Sequence, residues 1–109
     1  MSHQNLDQMT NGWFIGNFDP SLLKTDVFEV GVKRYKAGDE DPKHFHKIAR
    51  EITVIVSGRV FMFDREWSEG SIIDIPPGVP SSFRALTDAV VTVVKVPSVA
   101  GDKYLLEES

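Results

Sequence analysis

Apolar residues recur at every second position through most of the chain, which is the period of a β-strand with one face buried. Val27 to Tyr35 is the first clear run, with Phe28, Val30 and Val32 alternating. Glu51 to Val56 is rich in β-branched residues, as strands are. Ser57-Gly58 reads as a two-residue hairpin turn, because Gly supplies the positive φ such a turn requires. Arg59 to Phe63 then returns antiparallel. Asp64 to Glu66 reads as a turn, Ser71 to Ile75 as a short strand stopped by Pro76-Pro77-Gly78, and Ser81 to Ala85 as another strand. Val90 to Val96 is the last strong run, ended by Pro97. KAGDEDPK, residues 36 to 43, carries Gly, Pro and several charges and reads as a loop. Ser21 to Lys24 and Lys47 to Arg50 are too short for helices. The pattern predicts an all-β domain of short antiparallel strands, closed or in two sheets.

The ends read differently. Residues 1 to 12 are polar and turn-rich and are expected to form an arm. Trp13, Phe14, Ile15 and Phe18 follow; so apolar a cluster needs a partner surface, either the main sheet or a neighbouring subunit. The segment 98 to 109 carries Tyr104, Leu105 and Leu106 and is expected to be a C-terminal extension, leaving 13 to 97 as the single barrel. Val90 to Val96 is apolar on both faces, which points to a strand covered on both sides and to a homodimer.

Composition narrows the function. The chain has 109 residues, 41% hydrophobic and 26% charged, an ordinary globular balance. With 12 Lys+Arg against 16 Asp+Glu the net charge is −4, and no basic run is present, so a nucleic-acid partner is not expected. No cysteine occurs, which excludes disulfides, thiolate zinc sites, Fe–S clusters and thiol catalysis. The longest apolar runs fall far short of the roughly 20 residues of a membrane helix, and the N-terminus does not resemble a signal peptide. A cytoplasmic protein is the expectation.

One constellation carries candidate chemistry. Gly38, five residues, His44, one residue, His46, four residues, Glu51, six residues, Gly58 places two imidazoles on one strand face. Glu51 opens the next strand and can meet them. Two imidazoles and a carboxylate make a facial triad open to a divalent transition metal, with positions left for water or substrate. Without a metal, the same residues can be a surface pair beside a solvated strand-end carboxylate.

A second block follows: Gly70, five residues, Pro76, one residue, Gly78, two residues, Ser81. Together the blocks resemble the two sequence motifs of the cupin superfamily, over roughly residues 28 to 96. The resemblance implies a jelly-roll barrel with a pocket at one mouth. It implies His44, His46 and Glu51 as metal ligands, with Fe, Mn, Ni or Zn as candidates. The fourth ligand position of the family, a second-motif His, is Ser81 here, and the Asn that sometimes ends that motif is Ala85. A neutral hydroxyl is a poor ligand for a transition metal, so affinity should drop and an extra position should stay open.

If Ser57-Gly58 closes a hairpin, Ile55 faces Val60, Thr53 faces Met62 and Glu51 faces Asp64. Thr53, Ile55, Val60 and Met62 then share the face of Glu51, and by the same parity Ser81 and Phe83 line the mouth. Each of the apolar members also reads as plain barrel core. Either Arg34 or Tyr35 should point inward, and Tyr35 is the one further candidate for proton transfer. Two kinds of function remain open. One is a metal-dependent enzyme of oxygenase, isomerase or lyase type. The other is a non-catalytic barrel that binds or senses a small polar molecule. No catalytic acid or base and no substrate can be named from these residues.

Overall fold

The computed structural model describes residues 1–106. Eleven strands form two sheets. The first sheet has six strands in the order β2 (Leu23–Lys24), β1 (Trp13–Gly16), β3 (Glu29–Tyr35), β10 (Ala89–Val96), β5 (Arg50–Ser57) and β8 (Ile72–Ile75). The second has five in the order β11 (Tyr104–Leu105), β4 (Glu40–Phe45), β9 (Ser81–Ala85), β6 (Arg59–Met62) and β7 (Arg65–Ser68). All pairs are antiparallel except β1 with β2. The sheets face each other across one core: Ile55, Val60, Met62, Ile73, Ile75, Phe83, Ala85, Ala89, Val91 and Val93. The burial alternates along β9 and β10 as a one-sided apolar face requires.

Three local expectations are corrected. Ser57-Gly58 is not a hairpin. β5 pairs with β10 and β8, whereas β6 pairs with β9 and β7, so the chain crosses here from one sheet to the other. The facing of Ile55 with Val60, Thr53 with Met62 and Glu51 with Asp64 therefore does not exist. The shared inward face survives, because strands of opposite sheets turn the same alternate residues toward the core they enclose. Gly58 keeps its φ of 84°, and a Cβ there would collide with the Asp88 carbonyl oxygen, so the crossing needs glycine. The actual hairpin lies one strand later. Phe63 and Asp64 have φ of 51° and 57° and join β6 to β7, which places Trp67 in a strand opposite Val60.

The loop expected over 36–43 ends early. Glu40 and Asp41 pair with Arg84 and Phe83 of β9, and the register then slips before His44 pairs with Ser81. Pro42 lies in the slip, where a residue without an N–H is tolerated. The apolar cluster after residue 12 joins the main sheet as β1. In the arm, Leu6–Gln8 is a single 3₁₀ turn capped by Asn5, and Met9 is buried. Of the expected extension, Tyr104 and Leu105 pair with β4, and residues 107–109 lie outside the described residues.

Candidate metal centre and its cavity

The two sheets meet in the candidate site. His44 is on β4 of the second sheet, His46 lies just past that strand, and Glu51 is on β5 of the first. One potential ligand atom from each lies within 4.8 Å of the others. The two rings stand nearly perpendicular, at 83° with centroids 5.3 Å apart.

Each donor is prepared differently. His44 Nδ1 lies 2.8 Å from the Pro42 carbonyl oxygen. A carbonyl only accepts, so Nδ1–H donates and the neutral ring keeps its free lone pair on Nε2. His46 is 6% exposed, and its Nε2 is fully buried with no hydrogen-bond partner among the described residues. Burial first, then the positive charge of Lys95 and the repulsion that a protonated His44 would add, lower the His46 pKa to about 4, against a smaller opposing pull from Asp102. The ring is thus neutral at ordinary pH. A buried polar atom without a partner costs free energy. A metal ion is the group whose chemistry answers a neutral buried imidazole beside a second imidazole and a carboxylate, so the residues fit such an ion. The Glu51 carboxylate accepts from the Thr53 hydroxyl at 3.2 Å, which orients it.

The segment that carries His46 is held from outside. The backbone N–H groups of Lys47, Ile48 and Ala49 all donate to the buried Asp102 carboxylate, at 2.9 to 3.2 Å. Burial pushes the Asp102 pKa up, but these donors outweigh it and the net shift is down. On the other side, Gly78 N–H donates to the His46 carbonyl at 2.6 Å. Sequence reading missed Asp102, because its partners are backbone groups more than fifty positions away.

A cavity of about 70 Å³ opens beside the triad. His44, Glu51, Thr53, Ser81, Phe83, Met62 and Tyr35 line it. Ile55 and Val60 do not. Both are 0% exposed and sealed in the core below, too far from the mouth to reach open space. Of the two residues closing β3, Tyr35 turns inward and Arg34 is exposed. The Tyr35 hydroxyl donates to Asp41 at 3.1 Å, and its ring lies against Phe83 with centroids 4.5 Å apart. Burial, then the Asp41 charge and hydrogen bond, raise the Tyr35 pKa well above its ordinary value. The rest of the lining escaped the sequence reading: Asp41, Trp13 and the three lysines 33, 95 and 103. The inward phase of β3 explains part of that. Its partners on β10 put Gly31 opposite Val93 and Lys33 opposite Val91, so Val30 and Val32 face out, and the apolar period marks the outer face of that strand.

No protein-family model matches the chain, and no curated protein matches it by sequence. Solved structures do match. A protein with a double-stranded β-helix domain from Klebsiella pneumoniae superposes with a TM-score of 0.71 at 21% identity, over 80% of this chain and 76% of the other. The DMSP lyase DddQ from Ruegeria pomeroyi gives 0.69 at 23% identity, over 84% of this chain and 48% of the lyase. An RmlC-like cupin from Desulfovibrio desulfuricans gives 0.61 at 27% identity, over 69% and 76%. The protein has the cupin fold. The crossing at Gly58 is one of a series: from β3 to β10 every connection passes between the two sheets except the β6–β7 hairpin. In this protein the position paired with His44 is Ser81, so the second sheet adds no third imidazole there.

Proposed function

We propose that this cupin binds a divalent transition metal through His44, His46 and Glu51 and takes a small polar molecule into the adjoining cavity, as a metal-dependent enzyme of lyase, isomerase or oxygenase type. The observation that carries the reading is the convergence of one ligand atom from each of the three residues within 4.8 Å, with His46 also burying an Nε2 that has no partner among the described residues. When bound, such an ion supplies Lewis acidity toward a substrate oxygen or lowers the pKa of a bound water. Two imidazoles and one carboxylate suit Fe(II), with Mn, Ni and Zn as further candidates. The chain's own residues do the rest. Pro42 fixes the His44 tautomer, Thr53 orients Glu51, and Ser81 leaves the coordination sphere open on its side. A lyase among the structural neighbours supports the catalytic reading.

A non-catalytic binding barrel is the second reading. The observation in its favour is that the Tyr35 hydroxyl, the proton-transfer candidate read from the sequence, is committed to Asp41 and held protonated. In either reading the protein acts as a cytoplasmic homodimer. The outer face of the six-stranded sheet supports the homodimer, with Val56, Ile72 and Val96 exposed at 45%, 69% and 46% beside Ile52, Val54 and Val94.

Elemental analysis of purified protein beside a His44→Ala variant tests the metal. Near-stoichiometric metal in the parent and its loss in the variant support the reading. Equal content in both overturns it. Turnover by the loaded protein separates the enzyme from the binding barrel.

A further inference from the structure

Lys33 and Lys95 stand on neighbouring strands of the first sheet and both line the triad's cavity. Between them the chain has Gly31, and the Trp13 ring fills the space a side chain would take. A Cβ on residue 31 would lie 2.8 Å from Trp13 Cε3. The two ammonium groups sit over that ring, at 5.2 Å for Lys33 and 5.0 Å for Lys95. Lys103 reaches the same cavity from the C-terminal segment. Among the described residues none of the three lysines takes part in an ion pair. The cavity's carboxylates, by contrast, each have a donor: Asp41 has Tyr35 and Glu51 has Thr53.

Positive charge turned into a half-buried cavity is costly unless an anion answers it. Three ammonium groups against two carboxylates leave the cavity net positive, and a divalent ion would add to the excess. From the opposite sheet Met62 and Phe83 add an apolar wall to the same lining. The space holds roughly five water molecules. We infer that the cavity selects a small organic carboxylate, its charged head toward Lys33 and Lys95 and its short hydrocarbon body on that apolar wall. The inference rests on, and deepens, the proposed metal site by naming the class of molecule that shares its cavity. Inorganic phosphate offers the charge without the hydrocarbon body and is the competing ligand to exclude.

Calorimetric titration of the full chain with propionate, propionamide and phosphate tests this, in metal-stripped and in metal-loaded protein. Propionate should bind stripped protein at least about tenfold more tightly than its neutral isostere propionamide, and more tightly than phosphate. A Lys33→Gln/Lys95→Gln variant, its folding checked by thermal unfolding, should lose about tenfold or more in propionate affinity. The single substitutions serve where the double variant does not fold. Equal binding of propionate and propionamide, phosphate binding as tight as propionate, or no effect of the lysine substitutions each overturn the inference. Metal content measured on the same samples keeps the two readings apart. Lysine-dependent propionate binding in a protein that takes up no metal removes the metal site and leaves the carboxylate site. Metal uptake without propionate binding does the reverse.

Discussion

The inward row of β5 changes character along its length. Glu51 and Thr53 face the cavity, while Ile55, next in the same row, is 0% exposed and packed in the core. β10 shows the same change, from Lys95 at the cavity to Ala89 in the core. Strand geometry turns all of these residues inward, so geometry alone does not separate them. Chemistry does. The apolar end removes hydrocarbon from water and holds the sheets together, at roughly 25 cal/mol per Å² of apolar surface. The polar end buries a neutral imidazole and several charged groups at a cost to stability, which is where a site for a ligand is expected. Stability and function therefore occupy opposite ends of one barrel and should respond separately to substitution.

The largest expected effect is at the apolar end. Ile55→Ala should lose about 2–5 kcal/mol, the cost of a buried Ile cavity, read by denaturant unfolding, with metal uptake by the folded fraction unchanged. Loss of metal at full stability in that variant would break the separation. Asp102 clamps the polar end from outside. Asp102→Ala removes the acceptor of three backbone N–H groups and should cost about 1–3 kcal/mol. Because those groups belong to the segment after His46, metal affinity should fall with it. A variant that loses stability yet binds metal as the parent does would show that the clamp holds the tail alone.

The effect of pH is smaller and its sign is fixed by His46. The folded pKa, about 4, lies below the ordinary value of 6.5. Between those values the unfolded chain takes up a proton that the folded one refuses, so this residue makes stability rise with pH from 4 to 6.5 and level off above. Asp102 contributes only at lower pH, because its depressed carboxyl keeps its advantage until pH falls below 3.8. Thermal midpoints measured across pH 4 to 7 should fall toward the acid end in the parent, and His46→Gln should flatten the slope. An unchanged slope in that variant would locate the titration elsewhere. The smallest effect on stability is expected at His44. Its ring is half-buried at the mouth, and His44→Ala should shift unfolding by no more than about 1 kcal/mol.

The same contrast explains what the sequence could show. Strands dominated by their own alternation, such as Ser81–Ala85, are legible residue by residue, because a period of two needs no knowledge of the partner. The spacing of His44, His46 and Glu51 is legible for the same reason, being local. What escapes reading depends on contacts distant in sequence. Ser57-Gly58 has hairpin chemistry, yet Gly58 serves a crossing against Asp88 and Ala89. Asp41 looks like a loop residue until β9 pairs with it. Lys33 and Lys95 come together only because Trp13, from the first strand, lies against both.

The central claim is that the polar end holds a metal, and the most direct measurement is metal stoichiometry by elemental analysis of the folded parent and of His44→Ala after identical loading and dialysis. The account expects close to one ion per chain in the parent and little in the variant, at nearly equal stability. A parent that retains no ion, or a variant that retains as much as the parent, contradicts it.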